Sequence, residues 1–365
     1  MRNDSFRIAV MPGDGIGHEV IEACLPVLNA VTAKTGGFKL DFETWQVGAQ
    51  AYQDTGTDLS DEARRAAGEA DAILFGSAGL PHIRRPDGRE LAPQLDLREE
   101  LQLFAGVRPV RVLPGAPTPL ADPRARDVDL VVLREQTEGM FATRERDGVE
   151  GDKIARDEMV ITRDGSERLF DFAFSLARRR KEKGGKGMVT CVDKANVLTS
   201  LAFFRKIFDE RAAANSDIDA NHAYVDAMAY FLVRDPWSFD VLVSENLLGD
   251  IISDLTAALV GGLGMAPSAD IGPEHGLFQP AHGSAPDIAG QGKANPIAMF
   301  LSAAMMLDWL GGRHDVQAAC DAAALLDDAI ARAFAGGDLR PTDLGGTDGL
   351  KTITERVLAE IAAGG

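Results

Sequence analysis

Two aspartates, Asp250 and Asp254, stand four residues apart in the stretch SENLLGDIISD at positions 244–254. At helical spacing their carboxylates share one face, about a turn apart. Adjacent like charges on an otherwise apolar helix are costly unless something positive joins them, and a hard divalent cation suits such oxygen donors. The spacing alone also fits two solvated acids near a helix N-terminus. Three arginines are placed comparably: Arg98 closes PQLDLR, Arg108 lies in GVRP, and Arg134 directly follows the apolar run 128–133. Three guanidinium forks converging on one point would suit a small dicarboxylate, each gripping an oxygen pair. Lys194 and Asn196 follow another apolar run in VDKANV, and Asp226 is embedded in YVDAM. In such settings lysine and aspartate serve either as salt-bridge partners or as proton-transfer groups.

Two further segments could meet a ligand through their backbone. MPGDGIGHEV, at 11–20, follows a strand-like run and opens a helix; Gly13, Gly15 and Gly17 make it GxGxG, not the GxGxxG of a dinucleotide-binding Rossmann turn. No second histidine follows His18 at zinc-binding spacing. AHGSAPDIAG, at 281–290, is rich in turn residues, which also serve loop geometry alone.

The elements that must position these residues follow from periodicity. Apolar runs of strand length occupy 6–11, 70–75, 128–133, 188–192 and 241–243. Helical patterns lie between them, from about residue 18 and over 166–183, where Leu169, Phe172, Ala173, Leu176 and Arg180 trace a face. The alternation predicts an α/β fold with a largely parallel sheet. The basic run 178–183 reads as a solvated helix C-terminus, favoured by the helix dipole.

Composition narrows the function classes. The chain has 365 residues, enough for one large or two medium domains, and a formal net charge of −18, which argues against a nucleic-acid partner or an anionic membrane surface. The longest apolar run, 297–307, is far short of the ~20 residues of a membrane span. Cys24, Cys191 and Cys320 are odd in number and form no CxxC, so neither a disulfide framework nor a zinc site is expected. The N-terminus has no signal-peptide pattern, and the expectation is a soluble cytoplasmic protein.

In their order along the chain, GDGIG, LREQTEG, VDKANV, GDIISD, HGSAPDIAG and DLGG resemble the β-decarboxylating dehydrogenases nearly end to end. That family comprises isocitrate, 3-isopropylmalate, tartrate/D-malate and homoisocitrate dehydrogenases. The resemblance implies an isopropylmalate-dehydrogenase-like two-domain α/β fold. A large cofactor-binding domain would be built from 1–103 plus 262–365, and a small domain from 104–261 would carry dimer contacts and part of the active site. It implies that Arg98, Arg108 and Arg134 hold the malate part of a small dicarboxylate substrate. Asp250 and Asp254 would hold Mg²⁺ or Mn²⁺, joined by Asp226 of the partner subunit. Lys194, also from that subunit, would assist deprotonation of the C2 hydroxyl with Asp226 alongside, in a homodimer with shared active sites.

NAD is expected as cofactor because Asp287-Ile288 offers a carboxylate that accepts hydrogen bonds from ribose hydroxyls and repels a 2′-phosphate. NADP-using relatives resemble this loop but carry lysine and tyrosine there. His282 and Asn295 would lie near the adenosine half, with Ile16, Gly76, Gly283, Ser284, Ala285 and Ile288 completing the cofactor set.

One departure from the family stands out. The tyrosine that protonates the enolate after decarboxylation is expected seven residues after the third arginine, where this chain has Phe141. Its only tyrosines are Tyr52, Tyr224 and Tyr230, none within that motif. Water or Lys194 must then reprotonate the enolate, or oxidation stops short of decarboxylation. Substrate choice is expected just before Arg98, where isopropylmalate enzymes place two leucines and this chain has Gln94 and Leu95. An amide left unpaired against an isopropyl group loses roughly 1–3 kcal/mol, so a polar C3 substituent such as that of tartrate fits better. Arg84, Arg85 and Arg89 could instead reach a distal carboxylate of an isocitrate- or homoisocitrate-type substrate. The expected activity is NAD- and divalent-metal-dependent oxidation, with decarboxylation, of a C3-substituted (2R)-malate of tartrate/D-malate or 3-isopropylmalate type. The competing expectation is a catalytically silent regulatory homologue.

Overall fold

The computed structural model describes residues 5–143 and 148–364; positions 1–4, on which the leader reading rests, lie outside them. Contacts divide the chain into two compact units, one of 1–103, 113–119 and 260–365, the other of 104–112 and 120–259. The short segment 113–119 packs with the first unit, where Gly115 lies against the backbone of Phe334 and Gly337.

The first unit opens with β1 (Ser5–Gly13), α1 (Ile16–Thr35), β2 (Lys39–Thr44), α2 (Ala49–Thr55), α3 (Asp61–Glu69), β3 (Ala72–Ser77) and α4 (Pro93–Glu100). The second unit follows with β4 (Ala105–Arg111), β5 (Asp129–Glu135), the short strands β6 (Val149–Glu150) and β7 (Ile154–Ala155), α5 (Arg163–Glu182), β8 (Met188–Asp193) and α6 (Thr199–Ala214). It closes with β9 (Asp219–Tyr224), α7 (Val225–Arg234), β10 (Val241–Ser244) and α8 (Asn246–Leu259). The chain then returns to the first unit through β11 (Pro267–Ile271), β12 (Gly276–Pro280), α9 (Ile297–His314), α10 (Gln317–Ala335) and α11 (Leu350–Ala363).

In the first unit the strand order is β2-β1-β3-β12-β11, parallel except for the β11/β12 pair. In the second it is β4-β5-β10-β8-β9, parallel except for β4/β5. The expected mostly parallel α/β fold is what the chain forms. The run 297–307 is the start of α9, a core helix buried against β11 and β12, and among the described residues no helix is long and apolar enough to cross a membrane. The second unit's core is aromatic, with Phe170 of α5 4.6 Å from Phe204 and 5.3 Å from Phe208 of α6, ring centre to ring centre.

All five strands expected from apolar runs are present. Helix α5 starts three residues before the expected pattern, because Thr162 caps it by accepting from Gly165 N at 3.1 Å. The basic run at its other end is not the solvated terminus expected. Arg180 Nε donates to the buried Asp240 at 2.5 Å, and Arg178 holds Asp217 at 2.7 and 2.9 Å. Asp240 also accepts from Gly187 N at 2.7 Å, so these arginines tie the helix end to the starts of β8 and β10.

Candidate active site

The second unit gathers the charged residues that spacing singled out. Antiparallel pairing of β4 with β5 sets Gly106 opposite Arg134 and Arg108 opposite Val132. Parallel pairing of β5 with β10 sets Arg134 beside Ser244, two residues before α8 begins. Buried Glu245 starts that helix, its carboxylate accepting from Leu247 N at 3.0 Å and Leu248 N at 2.7 Å. Asp250 and Asp254 then emerge on successive turns, as their spacing required.

Arg134 is 3% exposed yet reaches this helix face. Its Nε and Nη2 donate to Asn246 Oδ1 at 3.0 and 2.7 Å, and Nη1 ion-pairs with Asp250 Oδ1. Arg108 Nη1 donates to Ser253 Oγ at 2.7 Å and lies 3.9 Å from both Asp250 Oδ1 and Asp254 Oδ1. Gly249 makes this approach possible, since a Cβ there would lie 2.9 Å from Arg134 Cγ. The two aspartates are therefore not merely solvated acids: buried arginines back them while their carboxylates reach solvent. Desolvation holds the Asp254 carboxyl above its ordinary range, with Asp250 adding to the rise and Arg108 opposing it.

Phe141 lies beside the same cluster, its ring centre 5.1 Å from the Arg134 guanidinium. The loop leading to it hangs on a buried carboxylate and a buried amide. Glu135 accepts from Thr137 N at 2.8 Å and from Glu138 N at 2.6 Å, and Asn246 Nδ2 donates to the Glu138 carbonyl at 3.0 Å. Asn246 thus holds Arg134 with one end of its amide and the loop with the other. Sequence reading missed it, although it stands in SENLLGD beside the residues that were singled out.

Lys194 and Asp226 form a second ensemble in this unit. Lys194 leaves the end of β8, whose Asp193 pairs in register with Tyr224 of β9, and Asp226 stands in the first turn of α7. Lys194 Nζ donates to Asp226 Oδ1, and that hydrogen bond holds the Asp226 carboxyl below its ordinary range. Buried Asp193 anchors the turn, accepting from Ala195 N at 2.8 Å and from Arg205 at 2.7 and 2.6 Å. The same Arg205 guanidinium lies 4.8 Å from the Tyr224 ring centre, and Lys194 Nζ 5.9 Å from it. Among the described residues no group of three or more His, Cys, Asp or Glu could hold a metal ion within one chain. Asp226, engaged with Lys194, is not brought to Asp250 and Asp254 in the same protomer.

In the first unit, α4 carries Gln94, Leu95 and Arg98. Arg98 is buried and its Nε donates at 2.7 Å to Asp270 Oδ2 on β11, which also accepts from Gln279 at 3.1 Å. Asp270 is a further residue that sequence reading passed over; it lies inside a short buried strand with no motif around it. One turn before Arg98, Gln94 has its amide oxygen buried with no hydrogen-bond partner among the described residues. Arg85 is engaged with Asp58 at 3.0 and 3.3 Å, Arg89 with Asp87 at 2.6 Å, and Arg84 with the Pro81 carbonyl at 3.2 Å.

The two small-residue loops meet. Ile16 N donates to the Ser284 carbonyl at 2.8 Å, and Ser284 Oγ donates to the Gly79 carbonyl. Gly15, at φ +55°, lies so close that a Cβ would press on Ser284 O, and a Cβ on Gly76 would press on Pro12 O. Buried Asp14 ties the loop to α2, accepting from Ala49 N, Gln50 N and Gly79 N at 2.8–2.9 Å. Around Ser284 the loop is open: a Cβ on Gly283 would meet nothing within 4 Å, Ala285 takes φ 37°, and Ile288 N closes a turn on its carbonyl at 3.1 Å. Asp287 is exposed, and its carboxylate carries no hydrogen bond among the described residues. His282 Nδ1 is 2.9 Å from the Gly283 carbonyl, while desolvation holds its pKa below the ordinary value. Asn295 is fully committed, its Nδ2 on Asp343 at 3.2 and 3.3 Å and its Oδ1 on Ile297 N at 3.2 Å.

The sequence profile of the isocitrate/isopropylmalate dehydrogenases matches residues 7–360. A 3-isopropylmalate/3-methylmalate dehydrogenase of Methanocaldococcus jannaschii is 42% identical over 358 residues, covering 97% of this chain and 98% of that protein. A 3-isopropylmalate dehydrogenase of Chlorobaculum tepidum is 40% identical, covering 98% of this chain and 99% of its own length. Among solved structures, an isocitrate dehydrogenase from Methylococcus capsulatus superimposes with a TM-score of 0.85 at 35% identity, over 98% of this chain and 99% of that one.

Proposed function

The chain belongs to the isocitrate/isopropylmalate dehydrogenase family of oxidoreductases, and on that footing we propose that it catalyses NAD- and divalent-metal-dependent oxidative decarboxylation of a 3-alkylmalate, 3-isopropylmalate first. The observation that carries this reading is the cluster of Arg108 and Arg134 behind Asp250 and Asp254. Two buried guanidinium groups supply fixed positive charge for substrate carboxylates, with Arg98 held ready by Asp270 as the third. Two oxygen-donor side chains on successive turns fit Mg²⁺ or Mn²⁺. Asp250 and Asp254 of one subunit and Asp226 of the partner subunit would hold the ion, which supplies Lewis-acid stabilisation of charge on the substrate oxygens.

Lys194 would take the C2 hydroxyl proton at Nζ, with Asp226 fixing the ammonium that results. The Gly15–Ser284 loops fit a dinucleotide through their close backbone approach. The unbonded Asp287 carboxylate suits ribose hydroxyls and opposes a 2′-phosphate. Asn295 would act there by holding the loop against Asp343 rather than through a free amide. Among the described residues, large apolar side chains left exposed fall, but for Leu263, in the second unit, with Tyr230, Val233 and Ile251 on α7 and α8. Such a face supports a homodimer in which Lys194 and Asp226 serve the opposite subunit, as a soluble cytoplasmic enzyme.

A second reading keeps the chemistry but changes the substrate. The unpartnered amide oxygen of Gln94 favours a hydrogen-bond donor on C3, as in tartrate. Initial rates of NADH formation with isopropylmalate, D-malate, tartrate, isocitrate and homoisocitrate decide between them. Highest kcat/KM for isopropylmalate supports the first reading and highest for tartrate the second. No NADH with any of them would mean a silent homologue.

A further inference from the structure

Phe141 cannot give a proton, yet a decarboxylating enzyme of this kind must return one to the substrate carbon. Of the three tyrosines, Tyr52 sits on α2 in the first unit, and Tyr230 accepts from Arg234 at 3.2 Å on the exposed side of α7. Tyr224 differs from both. It ends β9 two residues before Asp226, and its ring centre lies 5.9 Å from Lys194 Nζ and 4.8 Å from the Arg205 guanidinium. The Asp193–Arg205 pair that fixes Lys194's turn therefore also fixes this phenol.

Building on the reading above, we propose that Tyr224 is the proton donor that replaces the phenol missing at Phe141, and that Lys194 reloads it. The balance closes within the site. The C2 hydrogen leaves with its electron pair to the nicotinamide dinucleotide, and the hydroxyl proton goes to Lys194 Nζ. The bond to the departing CO₂ leaves its pair in the enolate. The enolate carbon takes the Tyr224 hydroxyl proton, and Lys194 returns its own proton to the phenolate oxygen. No proton is gained or lost overall. The phenolate stage is brief and has two cationic side chains beside its ring, Lys194 and Arg205.

The test isolates this last half of the reaction. With the 2-keto acid product, Mg²⁺ and no dinucleotide, the unmodified enzyme should exchange the product's C3 hydrogens for deuterium in D₂O, read by NMR. Tyr224→Phe should slow that exchange by about tenfold or more, with Tyr52→Phe as the unaffected control and the melting transition retained. Adding Phe141→Tyr to Tyr224→Phe should restore exchange, which a merely structural tyrosine would not allow. A second measurement leaves the hydroxyl in place. Fluorotyrosine incorporated into the Tyr52→Phe/Tyr230→Phe protein should shift the pH profile of exchange downward. Wild-type exchange in Tyr224→Phe, or a pH profile indifferent to fluorination, would overturn the proposal. Failure of the unmodified enzyme to form NADH from any malate analogue would instead overturn the reading beneath it.

Discussion

The glycine-lined loop of the first unit and the arginine–aspartate cluster of the second are built by opposite means. The loop is shaped by the absence of side chains, with Gly15 and Gly76 letting backbone approach backbone and one buried carboxylate, Asp14, collecting three amides. The cluster is shaped mainly by side chains, buried guanidinium groups drawn to half-exposed carboxylates, with Gly249 leaving room for Arg134. Backbone sites tolerate no added atoms, and charge sites tolerate no lost ones.

That contrast is sharpest in the cluster itself. Asp250→Asn should lower kcat/KM on the order of a hundredfold or more while the melting transition stays in place, because one oxygen donor and its charge are lost without a change in shape. Near-wild-type rates would break the assignment. Next in size, adding one methyl group to each region should give different losses. Gly249→Ala would press on Arg134 and should cost about 1–3 kcal/mol of stability by overpacking. It should raise KM for substrate while leaving NAD affinity alone. Gly15→Ala should do the reverse, weakening NAD with little effect on substrate affinity, as calorimetric titrations would reveal.

Much of this was legible in the sequence, for reasons that differ by region. Asp250 and Asp254 stood out by their spacing on one helix face, a pattern that solvated acids also fit. Arg134 directly follows an apolar run, where a charge is less easily read as solvated. The strands β2 and β9 escaped notice because an edge strand such as DANHAY exposes most of its side chains and shows no apolar run. Strand β4 was hidden by Pro109, tolerated opposite Val131. Asp14, Asp193, Asn246 and Asp270 were passed over because their partners are backbone amides or residues distant in sequence, which spacing cannot reveal. The solvated reading of the basic run failed for the same reason: Asp240, which holds Arg180, lies 60 residues away.

Smaller effects refine the comparison. NAD should exceed NADP by about tenfold in kcat/KM, since Asp287 against a 2′-phosphate costs on the order of 1.4 kcal/mol; Asp287→Ala should narrow the gap. Equal rates in the unmodified enzyme would mean Asp287 does not face the ribose. The smallest effect concerns pH. Burial holds the Glu135 carboxyl above its ordinary value of 4.5, so the folded state retains a proton that the unfolded chain has lost. Stability from this group is full below that ordinary value and declines as pH rises toward the raised one. Glu135→Gln should flatten the fall of Tm over that window, and an unchanged slope would show that its hydrogen bonds to Thr137 and Glu138 already offset the burial.

On the proposed function, oxidation cannot proceed without the divalent ion. Enzyme stripped with a chelator, then given NAD and 3-isopropylmalate, should form no NADH until Mg²⁺ or Mn²⁺ is added, and should then form it steadily. NADH production that ignores the chelator, or none from any malate analogue after metal is restored, would contradict it.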